Sequence, residues 1–146
     1  MRTRHLLQAL EESRIAEAIR SAEARTSGEI RVFISSQKRK SPPVLDCAAA
    51  QFTKLEMAGT AGRNAILIYL SPETQEFAII GDAGIHAKCD AGFWAGIAGA
   101  FEARMRAGDF TGAIVAAVST AGEALSEHFP NRPGDVNELP NSVERD

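Results

Sequence analysis

Two short apolar runs in the middle of the chain constrain its fold more than any other feature. Residues 65–70 and 77–80 are rich in apolar side chains, and a polar segment containing Pro72, residues 71–75, separates them. This pattern predicts a β-hairpin. Because both runs are almost continuously apolar, other parts of the chain must cover both faces of the hairpin. We therefore expect the hairpin at the centre of a sheet with helices on either side.

Helical and strand patterns surround this hairpin. Apolar residues recur at helical spacing in four segments, and a strand pattern lies between the first two; the helices are residues 7–25, 44–58, 90–107 and 110–128, and the strand is residues 29–35. The order α-β-α-β-β-α-α predicts an α/β fold, a three-layer α/β/α sandwich with a small mixed sheet. The first two strands should run parallel through a helical crossover. Gly96 and Gly99, one turn apart, suggest the close approach of another backbone.

The chain length sets the domain organisation. With 146 residues, 45% of them hydrophobic, the chain has the size and the core of one domain. We predict a single domain over residues 1–130 and a polar C-terminal tail, extended or disordered, over residues 131–146. Residues 37–43 form a basic loop, which is either solvated or meets an anionic surface.

Composition argues against several classes of function. The formal net charge of −3 gives no sign of nucleic-acid binding. The sequence has no apolar stretch near the ~18 residues of a membrane span, and its first residues lack the features of a signal peptide. We therefore expect a cytoplasmic protein. Cys47 and Cys89 have no metal-type spacing and are interpreted as buried small hydrophobes.

One edge of the predicted sheet gathers polar residues. The starts of two parallel strands and the end of the antiparallel third strand meet there, which brings together Glu29, Arg63, Asn64 and Asp82. Asp109 joins them if the loop before the last helix reaches this edge. Glu29, Asp82 and Asp109 would offer carboxylates, and Asn64 an amide oxygen, to a hard divalent cation such as Ca²⁺. Arg63 would otherwise pair with the acids.

Each of these residues also has an ordinary structural interpretation. Asp109 fits a helix N-cap, and Asp82 fits a turn beside glycines. Glu29 could lie on an exposed face, Arg63 could be a plain ion-pair partner, and Asn64 could be a turn or strand-edge residue. The cation site therefore remains a hypothesis at this stage.

Six segments carry a family resemblance: TSGEIRV (26–32), RNAILIYL (63–70), IIGDAGI (79–85), FW (93–94), AGDFTGAI (107–114) and DVNELPN (135–141). Together they resemble the TPM domain family, named after a thylakoid lumen protein, a photosystem II-associated protein and a nematode membrane protein. The chain is most similar to the soluble bacterial branch. The resemblance implies an α/β/α sandwich, Ca²⁺ as a possible ligand and, from plant members, weak acid phosphatase activity.

Three functions follow as alternatives. The preferred one is a binding or accessory module for a divalent ion or a protein partner. The second is a weak metal-dependent phosphatase, and the third is a purely structural protein-interaction domain. Phosphoryl transfer needs a nucleophile or a metal-activated water, and we find no P-loop, cysteine-nucleophile loop or defensible Ser-His-Asp set in the sequence. We therefore favour a protein that is not an enzyme, and we interpret His86 as a surface turn residue.

Overall fold

The computed structural model describes residues 11–36, 43–131 and 143–145. Its elements are α1 (Glu12–Glu23), β1 (Glu29–Ile34), α2 (Val44–Lys54), a 3-10 turn (Met57–Gly59), β2 (Ala65–Ser71), β3 (Glu76–Gly81), α3 (Ala83–His86), α4 (Ala91–Arg106), α5 (Phe110–His128) and β4 (Val143–Arg145). The predicted order is confirmed up to the end of α5, with the short helix α3 inserted after β3. Most of the basic loop, residues 37–42, lies outside the described residues, as do residues 7–10 of the first predicted helix.

The four strands form one mixed sheet in the order β3-β2-β1-β4. The hairpin of β2 and β3 therefore does not lie at the centre of the sheet as predicted, because β3 is its edge strand. β1 and β2 are parallel, with Glu29 opposite Ala65, and β2 and β3 are antiparallel. β4 adds to the other edge of β1 in parallel. Three residues of the predicted polar tail thus form a strand, because their backbone pairs with β1, a contact that local composition does not encode. Residues 132–142 of that tail lie outside the described residues.

Two hydrophobic cores flank the sheet. Alternate residues of β1 and β2 face opposite sides. One side packs against α1, α4 and α5 in the larger core. The other packs against Ala48 of α2 and Met57, and there the rings of Phe33 and Tyr69 stack with centroids 5.5 Å apart. Helices therefore cover both faces, and the α/β fold with its mixed sheet is confirmed.

α1 and α5 lie side by side and point in the same direction. At one end the backbone N–H of Glu11 donates to Thr111 Oγ1 at 3.2 Å. At the other end Thr26 Oγ1 donates to the carbonyl of Leu125 at 3.0 Å. The C-terminal ends of both helices therefore lie close to the start of β1, and their N-terminal ends lie away from it.

A close approach between two helices occurs at a different glycine from the two that we predicted. A Cβ on Gly122 of α5 would lie 2.6 Å from Cβ of Ala22 in α1. A Cβ on Gly96 or Gly99 would have no described atom within 4 Å. The prediction for Gly96 and Gly99 is therefore wrong, because that face of α4 is exposed. Within the part of the chain that the structure describes, no helix has the length and apolar character needed to cross a bilayer.

Candidate functional site

An ion pair joins the start of β2 to the end of β3. The backbone N–H of Asp82 donates to the carbonyl of Ala65 at 2.9 Å, which continues the strand pairing. Arg63 then holds both carboxylate oxygens of Asp82, with Nε to Oδ2 at 2.7 Å and Nη2 to Oδ1 at 2.8 Å. The Arg63 side chain is 53% exposed, whereas that of Asp82 is only 6% exposed. The hydrogen bonds from Arg63 lower the pKa of Asp82, more than burial raises it, so the carboxylate is ionised.

The backbone around this pair is tightly packed. Arg63 has a φ of +50°, and its carbonyl accepts the N–H of Gly84 at 2.7 Å. A Cβ on Gly84 would lie 2.1 Å from the carbonyl oxygen of Gly62, so this position requires glycine. Asp82 begins α3 by accepting the N–H of Ala83 at 2.7 Å. The turn that the sequence predicted here is therefore a capped helix closed against the loop before β2.

Asn64, the residue after Arg63, bridges β1 and β2. It is 2% exposed, its carbonyl accepts the N–H of Glu29 at 3.4 Å, and its Nδ2 donates to Ser27 Oγ at 3.4 Å. Its own N–H donates to Thr60 Oγ1 at 3.2 Å. Among the described residues, Asn64 Oδ1 has no hydrogen-bond partner. A buried acceptor of this kind is costly unless a ligand or a water satisfies it.

Glu29 faces a second carboxyl group, which the sequence interpretation missed. Glu29 is 2% exposed. Glu23, at the end of α1, accepts the N–H of Ile30 at 2.7 Å through Oε2. Burial, together with the charge and hydrogen bond of Glu29, raises the pKa of Glu23 to about 8, against the opposing effects of the Ile30 N–H and Arg31. The pair therefore holds a proton at neutral pH. An acidic residue in the last turn of a helix, where it opposes the helix dipole, was the signal available in the sequence.

A buried arginine ties β4 to this region. Arg31 is 4% exposed, and its Nη2 lies 2.5 Å from Glu144 Oε1. The pair spans β1 and β4, so it anchors the final strand next to the two glutamates. Loss of Glu144 would be costly because it would leave the buried Arg31 charge without its partner.

Asp109 does not join the cluster. It caps α5 by accepting the N–H of Gly112 at 2.9 Å through Oδ1, and it pairs with Arg104 at 3.4 Å. The other end of α5 meets the sheet edge, where Leu125 would be 2.7 Å from a Cβ on Gly28. At about 1.5 Å of rise per residue, Asp109 lies ~24 Å along the helix from Leu125. The expectation that the loop before α5 reaches this edge does not hold, and Asp109 acts as the N-cap that was its alternative.

The predicted carboxylates do not form a ready-made metal cage. Glu29 and Asp82 flank Ala65 in the sheet, so about two strand spacings, ~10 Å, separate their backbones. Within residues 11–36, 43–131 and 143–145, no group of three or more His, Cys, Asp or Glu side chains is arranged to hold a metal ion. Glu29, Arg63, Asn64 and Asp82 do share one edge, but each carboxylate already has a partner.

Cys89 and His86 are of the residue types that hydrolases use in catalysis. Burial, followed by the charges of Asp90 and Glu127, raises the pKa of the Cys89 thiol, which disfavours the reactive thiolate. The ring of His86 stacks on Trp94, with centroids 5.7 Å apart. Cys89 is partly buried against the larger core, and His86 is exposed at the surface, as its interpretation as a surface turn residue predicted.

The solved structures that resemble this chain include those of two bacterial proteins. The BA42 protein of the psychrophilic bacterium Bizionia argentinensis, solved by NMR, is 38% identical and has a TM-score of 0.85 over 93% of this chain and 92% of its own. The N-terminal domain of the cg2496 protein of Corynebacterium glutamicum is 18% identical, with a TM-score of 0.60 over 82% of this chain and 74% of its own. This second match shows likeness of fold alone. A search of curated proteins found no match.

The family model described as the TPM domain matches residues 1–124. This match covers most of the 146 residues, including α1, the three strands β1 to β3, and most of α5. The resemblance predicted from short segments of the sequence is thereby confirmed. The chain belongs to the TPM domain family.

Proposed function

We propose that this chain is a non-catalytic binding module that takes a divalent cation, Ca²⁺ in the first place, at the edge formed by β1, β2 and β3. The observation that carries the proposal is the position of the Arg63 guanidinium, which covers both oxygens of the buried Asp82 carboxylate. In this proposal, the positively charged Arg63 side chain occupies the position beside Asp82 that a metal ion would take. In the residue that follows Arg63, Asn64 Oδ1 is a buried acceptor without a partner among the described residues.

Arg63 can leave this position at small cost. Its side chain is 53% exposed, and ion pairs with such exposure contribute about 0–1 kcal/mol to stability. Once Arg63 swings into solvent, Asp82 and Asn64 would supply oxygen ligands, and water would supply others, as hard cations accept. Glu29 stays a candidate ligand that must first give up its contact with Glu23.

The arrangement makes an unusual prediction about Arg63. Arg63→Ala should strengthen Ca²⁺ binding by about fivefold, because it removes a competing charge worth ~1 kcal/mol. Asp82→Asn should abolish binding. Asp109→Ala should leave the cation affinity unchanged, because Asp109 caps α5 at the far end of that helix; it should only lower stability by ~1 kcal/mol.

The measurement is thermal unfolding and calorimetric titration of chelator-treated protein with Ca²⁺, and with Mg²⁺, Mn²⁺ and Zn²⁺ for selectivity. A cation at 100 times its dissociation constant should stabilise the fold by roughly 2.7 kcal/mol. Weaker binding in Arg63→Ala than in the unchanged protein, or no response to any of the four ions, would contradict the proposal.

The same variant separates the alternative functions. A phosphatase would use the exposed Arg63 to hold the phosphate, so Arg63→Ala would lower phosphate affinity and the metal-dependent hydrolysis of a phosphate ester. A purely structural interaction domain would respond to neither ion nor phosphate. A cytoplasmic location and a protein partner, both predicted from the sequence or its resemblance, form part of this proposal.

A further inference from the structure

An open strand edge lies on the side of the sheet opposite β4. β3 is the first strand in the order β3-β2-β1-β4, and among the described residues no other strand pairs with its outer side. The backbone N–H of Asp82 hydrogen-bonds to β2. Because successive residues of an antiparallel strand hydrogen-bond alternately to opposite sides, the backbone N–H and C=O groups of Phe77, Ile79 and Gly81 point away from β2. Soluble proteins usually protect such an edge with Lys, Pro or a bulge, yet β3, with the sequence EFAIIG, contains neither Lys nor Pro.

An apolar groove follows this edge. It has a volume of about 430 Å³ and is lined by Leu45, Ile79, Ile80, Gly81, His86, Cys89, Ala91 and Trp94. Ile79 packs towards the larger core and Ile80 towards the smaller one, so the groove reaches around both sides of the strand. Leu45 is 58% exposed, the exposed large hydrophobic residue of the described chain. Pockets of about 300–1,000 Å³ typically receive small molecules or side chains.

Two further features specify what fits there. The ring of Trp94 lies against the end of β3, since a Cβ on Gly81 would be 2.5 Å from its Cη2. Trp94 Nε1 is buried and has no acceptor among the described residues. Among the described residues, the groove lining carries no carboxylate, lysine or arginine, whereas Glu76, at the start of β3, is exposed. An occupant should therefore be apolar along the groove, should offer an acceptor to Trp94, and should carry a basic residue near Glu76.

We propose that β3 and this groove bind an extended β-strand of a partner protein, which adds to the sheet in antiparallel pairing. Outward backbone groups would give affinity, and the two apolar flanks would select the side chains. The strand would have alternating apolar residues and a basic C-terminal end, because an antiparallel strand places that end beside Glu76. A second copy of this chain fits less well. If two β3 strands paired around Ile79, Glu76 would face Asp82 of the copy, whose carboxylate is already paired with Arg63, so Glu76 would gain no new basic partner there.

The test uses the full chain and a synthetic peptide, acetyl-Thr-Val-Thr-Val-Thr-Val-Lys-amide. Trp94 is the single tryptophan, so its fluorescence reports the groove directly. We expect a saturable change in this fluorescence and slower hydrogen exchange at the amides of Phe77, Ile79 and Gly81. In one control peptide the backbone nitrogens of the valines are methylated, and in the other those of the threonines are methylated. One of these patterns should abolish binding and the other should preserve it, because only alternate amides face β3.

Two matched variants test the groove. Leu45→Glu should weaken peptide binding by about tenfold, as expected when burial of one leucine side chain is lost. Ala103→Glu, at an exposed position of α4 outside the groove, should leave binding unchanged. Either variant can be checked for folding by its thermal unfolding curve, since both positions are exposed.

Three results would overturn the proposal. The first is the absence of any fluorescence change or amide protection at about 1 mM peptide. The second is equal binding of both N-methylated peptides, which would assign the groove to apolar side chains without strand pairing. The third is concentration-dependent self-association that Leu45→Glu abolishes in the absence of peptide, which would assign the edge to a second copy of this chain.

Discussion

Replacing Glu23 by glutamine should remove a pH dependence of stability that the burial of Glu23 and its contact with Glu29 create. Burial and the neighbouring Glu29 raise the pKa of Glu23 from its ordinary value of 4.5 to about 8 in the folded protein. Between these values the folded chain holds a proton that the unfolded chain has released. The free energy of unfolding is therefore highest at low pH, falls as the pH rises from about 4.5 to about 8, and changes little above that range from this group.

The size of this effect follows from the pKa values. Each pKa unit corresponds to about 1.4 kcal/mol, so a rise of this size would amount to ~5 kcal/mol for a fully buried group. Glu23 is only partly buried, and water screens part of the effect, so we expect a loss of ~2 kcal/mol. For a chain of this length that corresponds to a fall in Tm of roughly 6 °C.

The assay is urea unfolding at a series of pH values between about 5 and 8.5, followed for each variant. Glu23→Gln resembles the protonated carboxyl group and keeps an acceptor for Ile30, so its free energy of unfolding should not fall over this range. Glu123→Gln, at an exposed position of α5, is the matched control and should keep the fall seen in the unchanged protein. A Glu23→Gln variant that retains the same fall, or an unchanged protein that shows none, would refute the reasoning.

Two glycine substitutions should have opposite effects on stability. Gly84→Ala should lower the free energy of unfolding by about 2–3 kcal/mol, because the added Cβ would lie 2.1 Å from the carbonyl oxygen of Gly62. Gly96→Ala should raise it by ~0.5–1 kcal/mol, because the Cβ meets no described atom within 4 Å and alanine favours the helix. Both values come from urea unfolding at one pH. A neutral Gly84→Ala or a destabilising Gly96→Ala would show that the backbone packing differs from this description.

Much of the fold could be predicted from local patterns in the sequence. The helix predicted over residues 110–128 has those same limits in the structure, and the hairpin predicted from its two apolar runs is β2 and β3. These predictions succeed because hydrophobic periodicity records which face of an element is buried. The strand over residues 143–145 lacked such a pattern, since its stability comes from pairing with β1 and from the Arg31–Glu144 contact.

The positions of the candidate site residues were predicted in part, for a similar reason. Strand direction brought Glu29, Arg63, Asn64 and Asp82 to one edge, as the parallel pairing implied. Asp109 was misplaced because its position depends on which end of α5 packs beside that edge. Glu23 was overlooked because it lies at the end of a helix, and only the packing of α1 places it next to Glu29.

The sequence by itself determined the class of fold, the hairpin, the limits of α5 and the family resemblance, because each of these rests on neighbours along the chain. Only the tertiary structure decided which charges meet. It placed Arg63 on both oxygens of Asp82, left Asn64 Oδ1 buried without a described partner, and joined Glu23 to Glu29. The physical reason is that side-chain pairing depends on helix direction and strand register, which are set by the packing of the whole domain.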